Sequence, residues 1–140
     1  MAWNVAGHYL IYQLHDKLVE SKSRVVFVSS GAIRRVEDPS VIESQMKAGS
    51  GADGFSTYSN TKFAQLLGAH WWRRRLAGNC NVVAVSPGLI PDTGIFRGHG
   101  IRLPTDAPDA KPVTEGEHPP PAPAFLVLLV EVIKWLTALR

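Results

Sequence analysis

A single cysteine, Cys80, stands among the 140 residues, so neither an intrachain disulfide nor a cysteine-based metal cluster can form. A reducing, cytoplasmic compartment is expected, and no metal site is. The amino terminus, Met1-Ala2-Trp3-Asn4, shows no basic segment followed by an apolar run and no small-residue cleavage site, so nothing there resembles a secretory signal. Charge of one sign is scarce as well. The formal net charge is +3, and the most basic run, Arg73-Arg74-Arg75, follows Trp71-Trp72 at the predicted end of a helix, where arginine complements the helix dipole. A nucleic-acid partner is therefore not expected. The apolar residues 124–140 number 17 and include Glu131 and Lys134, short and costly for a membrane span, though an interfacial or partner-binding helix fits them. The remaining balance, 45% hydrophobic and 19% charged, is that of one ordinary globular domain.

Along the chain the pattern reads helix, strand, loop, helix, strand, loop, tail. Over residues 4–18, Leu10, Leu14 and Leu18 recur every four residues with Ala6 and Gly7 on the early turns, which predicts a first helix. Val25-Val26-Phe27-Val28 is a run of β-branched and aromatic residues without polar alternation, as in a strand buried on both faces, and it breaks at Ser29-Ser30-Gly31. Residues 31–55 are polar and hold Pro39 and three further glycines, so they read as an excursion loop with a short helical stretch near residues 41–46. Phe63, Leu66, Leu67, His70 and Trp71 restore a helical period over residues 57–76, with Ser56 or Thr57 as the cap. Asn81-Val82-Val83-Ala84-Val85 is a second buried-type strand, ended by Pro87-Gly88. Strand, long helix, strand implies a right-handed parallel crossover.

In open parallel sheets chemistry sits at the carboxyl ends of the strands. Those positions hold Ser29-Ser30 and Ser86-Pro87-Gly88, and the connecting helix opens with Tyr58-Ser59-Asn60-Thr61-Lys62. Tyrosine and lysine four residues apart share one helix face. Free tyrosine has a pKa near ~10, too high for easy proton exchange at neutral pH, and a fixed cation nearby favours the phenolate. Tyr58 thereby becomes a usable acid/base, and a hydroxyl at the neighbouring strand end, Ser30, can hold the substrate oxygen against it while hydride moves at the adjacent carbon.

Alone, Tyr-x-x-x-Lys arises by chance in roughly one in five chains of this length, so the order of the motifs decides. Asn on a helix, a strand ending in Ser-Ser, Tyr-x-x-x-Lys opening a helix and a strand ending in Pro-Gly resembles the short-chain dehydrogenase/reductase family, most closely its retinol-dehydrogenase-like branch. The resemblance covers about residues 4–95. It implies an α/β fold, the carboxyl-terminal half of a Rossmann-like doubly wound parallel sheet, and a catalytic tetrad of Asn4, Ser30, Tyr58 and Lys62. It implies NAD or NADP as cofactor, with Tyr58 and Lys62 at the nicotinamide ribose and Pro87, Gly88 and Ile90 along the nicotinamide face. Asn4 would hold a water that links the lysine to solvent. Its simpler reading is a helix N-cap. Ser30 rather than Ser29 takes the catalytic role because the family uses the second serine of such a pair. A threonine usual five residues after the proline is Asp92 here, and Thr93, one later, is the candidate in its place.

The family's Thr-Gly-x-x-x-Gly-x-Gly turn and its Asn-Asn-Ala-Gly motif are not among these residues. Gly49-Ser50-Gly51-Ala52-Asp53-Gly54 matches the spacing of a dinucleotide-binding turn, but no strand precedes it and basic Arg73 or Arg74 stands where an acid for the ribose is wanted. It reads as a flexible loop. Residues 96–123 resemble a substrate loop leading into a proline-rich linker, and residues 124–140 an apolar carboxyl-terminal helix with no family counterpart. A truncated or altered gene product is expected, divided as 1–95, 96–123 and 124–140.

Two function classes follow. One is an NAD(P)-dependent oxidoreductase acting on a small-molecule carbonyl or alcohol. Sugar epimerases and dehydratases share Tyr-x-x-x-Lys, but the Asn-helix favours the simple dehydrogenase branch. The other is a non-catalytic fragment acting only through association. In either, self-association through helices 4–18 and 57–76 is expected, since the family pairs these helices between subunits.

Overall fold

The computed structural model describes residues 2–47, 49–91, 93–94 and 103–116. Two helices, α1 (Ala2–Gln13) and α2 (His15–Glu20), precede strand β1 (Arg24–Val28). Two 3-10 turns, Gly31–Arg35 and Pro39–Val41, lead to the short helix α3 (Ile42–Gln45). The long helix α4 (Gly54–Arg75) and strand β2 (Asn81–Val85) follow, and α5 (Val113–Gly116) closes the described chain. The proline-rich stretch from residue 117 and the apolar segment 124–140 lie outside the described residues.

The first helix, expected to run unbroken, is interrupted at Leu14, whose φ of −94° and ψ of 3° leave the helical well. The hydrogen-bond ladder continues across it, Leu14 N–H donating to Leu10 O and Leu18 N–H to Leu14 O, so the leucine period survives a local kink. Helix α2 ends in a Schellman turn: Ser23 N–H donates to Leu18 O, Lys22 N–H donates to Val19 O, and Lys22 takes φ 48° where glycine is usual.

Strands β1 and β2 pair in parallel, Arg24 opposite Asn81 through Val28 opposite Val85. Parallel neighbours need a long crossover, which residues 29–80 supply with α4 laid on the sheet. Phe27, Val82 and Ala84 meet Phe63, Leu66, Ala69 and Trp72 of α4 and its C-cap Leu76, residues three or four apart and all buried. Leu66 and Leu76 are fully enclosed, and each such side chain contributes about 1.5–3 kcal/mol. The other face differs from expectation. Val26 and Val28 are 50% and 54% exposed, because among the described residues the sheet has two strands and α4 packs on the Phe27 side. A parallel α/β unit consistent with part of a Rossmann-like fold is present. Among the described residues the full doubly wound sheet is not seen.

Helix α4 begins three residues before the predicted start. The Asp53 carboxylate, rather than Ser56 or Thr57, caps it, accepting from the Phe55 and Ser56 N–H groups at 2.8 and 3.0 Å and from the Ser56 hydroxyl at 2.5 Å. At its far end Arg73, Arg74 and Arg75 are exposed in the last turn, as the dipole argument expects.

Helix α1 docks on α4 through His8, whose ring stacks on Phe27 at 5.1 Å and sits directly over the Cα of Gly68. A Cβ at Gly68 would lie within 3 Å of all the nearest ring atoms. Gly68→Ala therefore costs about 1–3 kcal/mol of overpacking, against a gain of about 1 kcal/mol from helix propensity. Chemical denaturation should show a net loss in the wild-type background and a net gain when His8 is also replaced by Ala.

Burial lowers the His8 pKa, the backbone at Gln65 only partly opposing it, and neither ring nitrogen has a partner at hydrogen-bond geometry. His70 is lowered too, by burial first and then by Arg74 and Arg73. A folded-state pKa below the unfolded value of about 6.5 means that the folded chain binds fewer protons. The stabilisation is present above that pH and is lost as pH falls through the folded-state values. Denaturation midpoints should drop between pH 7.5 and pH 5, and His8→Leu should flatten part of that slope. A midpoint that rises on acidification over this range contradicts the packing described.

Candidate active site

Both strands end beside the start of α4. Past β1 the ladder extends one residue, Ser29 N–H donating to Val85 O at 2.6 Å. The strand alternation turns Ser29 inward, where it is buried with its hydroxyl unpartnered, and leaves Ser30 half-buried at the surface. Ser30 caps the first 3-10 turn, its Oγ accepting from Ala32 N–H at 3.2 Å. A hydroxyl that accepts in this way still has its proton to donate.

Tyr58 and Lys62 occupy successive turns of α4. The Lys62 ammonium donates to the Val28 carbonyl at 2.7 Å, and its Nζ lies 5.9 Å from the centroid of the Tyr58 ring. The last carbonyl of β1 thus anchors a cation next to the phenol. Burial lowers the Lys62 pKa. The other tetrad candidate, Asn4, falls in the first turns of α1, inside the helix rather than at its N-cap, which overturns the simpler reading of it. Its side chain lies outside what is described.

A cleft of about 440 Å³ brings most of the predicted set together: Ser30, Tyr58, Pro87, Gly88, Ile90 and Thr93 all line it. Lys62 does not, standing behind Tyr58 against the strand. Thr93 is tied back to Ile90, its Oγ1 donating to the Ile90 carbonyl at 3.1 Å, while Asp92 lies outside the described residues. Gly88 takes φ 93°, the conformation that turns the chain sharply off β2.

Sequence reasoning missed several residues of the same wall. Phe55, three residues before Tyr58 on one helix face, was legible from that spacing. Leu103 and Asp109 were not. The chain brings them back through a bridge pairing Leu89 with Ala110 and a bond from Lys111 N–H to Leu89 O at 2.8 Å, contacts that no local pattern announces.

The glycine-rich turn is excluded as a phosphate cradle by its own cap. Gly49 and Gly51 take φ 78° and 77°, with open space about them, and the turn delivers Asp53 to the N-terminus of α4. Hydrogen bonds from Ser56 and Phe55 hold that carboxyl below the usual carboxylate range, so an anion already occupies the helix dipole where a phosphate would bind. Among the described residues no cluster of His, Cys, Asp and Glu could hold a metal ion, and no helix is long and apolar enough to cross a membrane.

A parallel strand, long helix, parallel strand unit places a serine, a tyrosine and a lysine near the strand ends. A curated short-chain dehydrogenase/reductase of Pestalotiopsis microspora is 52% identical over 96 residues, covering 67% of this chain and 33% of that protein. The chain thus spans about a third of the length of the curated relative it matches. This likeness supports the short-chain dehydrogenase/reductase family as a whole and bears no mark of the retinol-dehydrogenase-like branch. No family model matches, and no solved structure does.

Proposed function

We propose that this chain is the catalytic portion of an NAD(P)-dependent short-chain dehydrogenase/reductase that acts on a carbonyl or secondary alcohol. One observation carries the reading: Ser30 and Tyr58 border a single cleft at the ends of two parallel strands, with the Lys62 ammonium fixed beside the phenol ring. Tyr58 gives its hydroxyl proton to the substrate oxygen during reduction and takes one back during oxidation. Ser30 donates its hydroxyl to the same oxygen and holds it in place. Lys62 stabilises the negative charge left on the tyrosine oxygen. Asn4, by family resemblance, serves as the solvent relay.

A nicotinamide dinucleotide, NAD or NADP, supplies or removes the hydride when bound. The residues fit its reactive end: Tyr58 and Lys62 would meet the ribose, Pro87, Gly88, Ile90 and Thr93 would border the nicotinamide, and the unpartnered Ser29 hydroxyl adds a donor in the same wall. They do not fit its phosphates, since the glycine-rich turn before α4 presents the Asp53 carboxylate. Joining the chain to the glycine-rich amino-terminal portion of a full-length family member should give turnover on a panel of carbonyls with NADH or NADPH. Inactivity on every carbonyl and alcohol would instead favour the association-only reading, which the Pestalotiopsis likeness does not. Assignment to the retinol-dehydrogenase-like branch rests on the sequence motifs alone, and retinal belongs in the panel for that reason.

Self-association and a cytoplasmic location are part of this reading. Tyr9, Tyr12 and Trp71 are 68%, 64% and 56% exposed on α1 and α4, and Tyr12, Trp71, Trp72 and Arg75 border one groove between these helices. Large apolar surfaces of this kind mark association sites. Sedimentation at micromolar concentration should show dimers or larger species that Trp71→Glu shifts to monomer, and a well-folded wild-type monomer would refute the pairing.

A further inference from the structure

Helix α1 is held to the rest of the fold by a short seam. From Ala6 onward its half-buried residues are His8 and Ile11, while Tyr9, Leu10 and Tyr12 are 68%, 59% and 64% exposed. Among the described side chains, the fully buried core comes from β1, α4, β2 and the segments joining them, and α1 adds to it through the partly buried Ile11. Helix α2 is fastened independently. The Cys80 thiol donates to Leu18 O at 3.0 Å and Val19 packs on the core. Leu14, with φ −94° and ψ 3°, stands between the two helices as a pivot.

The fastening of α1 is a titratable ring. His8 stacks on Phe27 at 5.1 Å and occupies the space that a Cβ at Gly68 would need. Both of its nitrogens are closed off from solvent without a hydrogen-bond partner. An imidazolium there would bring two N–H donors and a charge that call for partners or water. No anion stands by to meet them: α1, β1 and α4, the elements that come together at His8, contain no aspartate or glutamate. Their ionisable residues are Tyr9 and Tyr12 on α1, Arg24 on β1, and Tyr58, Lys62, His70, Arg73, Arg74 and Arg75 on α4, so the charges they carry near neutral pH are positive. The backbone at Gln65 favours the protonated ring, and burial outweighs it.

We propose that α1 is an acid-released arm: when the His8 ring takes up a proton, residues 2–13 leave α4 and Phe27 and swing at Leu14, while β1, α4 and β2 stay folded. Docking is at full strength above the unfolded-state histidine pKa of about 6.5 and weakens as pH falls below it, since the undocked ring binds the proton more readily. A helix of 12 residues is marginal in water by itself, so the freed arm also loses its hydrogen-bonded ladder. Asn4 rides on the same arm, but the inference rests on this packing and not on the relay role proposed for that residue.

The test is hydrogen exchange on the 140-residue chain at pH 7.5 and pH 5, corrected for the intrinsic pH dependence of amide exchange. On acidification, residues 6–13 should lose protection at least about tenfold more than α4 and β2 do. His8→Leu should remove that difference, and His70→Gln should leave it within about twofold. NMR titration of the histidine ring carbons in the wild-type chain is a check that needs no substitution: the midpoint of the loss in α1 should coincide with that of His8. Should His8→Leu leave α1 unprotected at both pH values, the agreement of those two midpoints decides. Equal losses in α1, α4 and β2, no loss in α1 down to pH 5, an undiminished difference in His8→Leu, or a midpoint that follows another histidine would each overturn the inference.

Discussion

Tyr58→Phe, introduced into the protein completed with a glycine-rich amino-terminal portion, should lower kcat by about 10²–10⁴-fold and leave KM for the carbonyl nearly unchanged. Proton transfer by a positioned side chain contributes in that range, and the substitution removes one oxygen while keeping the ring and its contacts with the helix. The environment argues for this split between kcat and KM. Under the proposed reading Ser30 and the apolar wall would hold the substrate in the cleft, and the bond from Lys62 to the Val28 carbonyl would keep the lysine in place in the variant. Steady-state kinetics over a range of carbonyl concentrations separates the two constants. A rise in KM with kcat intact would give Tyr58 a binding role and move the acid/base function to another group.

The second large effect concerns the 140 residues alone, which should show turnover about a thousandfold or more below that of the completed protein at equal cofactor concentration. A dinucleotide is held mainly through its pyrophosphate at a glycine-rich turn and through its adenosine ribose. The sequence holds no Thr-Gly-x-x-x-Gly-x-Gly, and the turn at residues 49–54 ends in Asp53. Losing about 4 kcal/mol of binding takes a micromolar site to millimolar. Fluorescence titration with NADH and NADPH on the bare chain and on the completed protein reads the affinity directly. Micromolar binding by the bare chain would show that contacts near Pro87 and Gly88 suffice.

How far the sequence announced this arrangement depended on whether the signal was local. The strands were plain in Val25 to Val28 and in Val82 to Val85, because short runs of β-branched residues ended by serine, proline or glycine have few other readings. The helix carrying Tyr58 and Lys62 was plain from the period of Phe63, Leu66, Leu67, His70 and Trp71, although the structure buries Trp72 and leaves Trp71 56% exposed, and the side-chain approach implied by the Tyr58 and Lys62 spacing is present. Its start was misplaced because Asp53 sits inside a glycine-rich stretch, where the capping pattern of Asp followed by Ser three residues later is easily read as loop. Burial on both faces was wrongly expected for β1: the residues ask for cover, but cover is a property of neighbouring elements rather than of the strand itself. Leu103 and Asp109 could not be found from sequence at all, since their approach to the cleft depends on the Leu89 and Ala110 bridge.

The most direct test of the proposal that Ser30, Tyr58 and Lys62 form a proton-transfer site is complementation in one cuvette. The chain is mixed with a separately produced glycine-rich amino-terminal portion, a carbonyl panel and NADPH or NADH, and cofactor oxidation is followed by absorbance. The account predicts background rates for either polypeptide alone, a rise of at least a hundredfold on mixing or fusion, and no rise when the chain bears Tyr58→Phe. A rise of the same size with the Tyr58→Phe chain would contradict it.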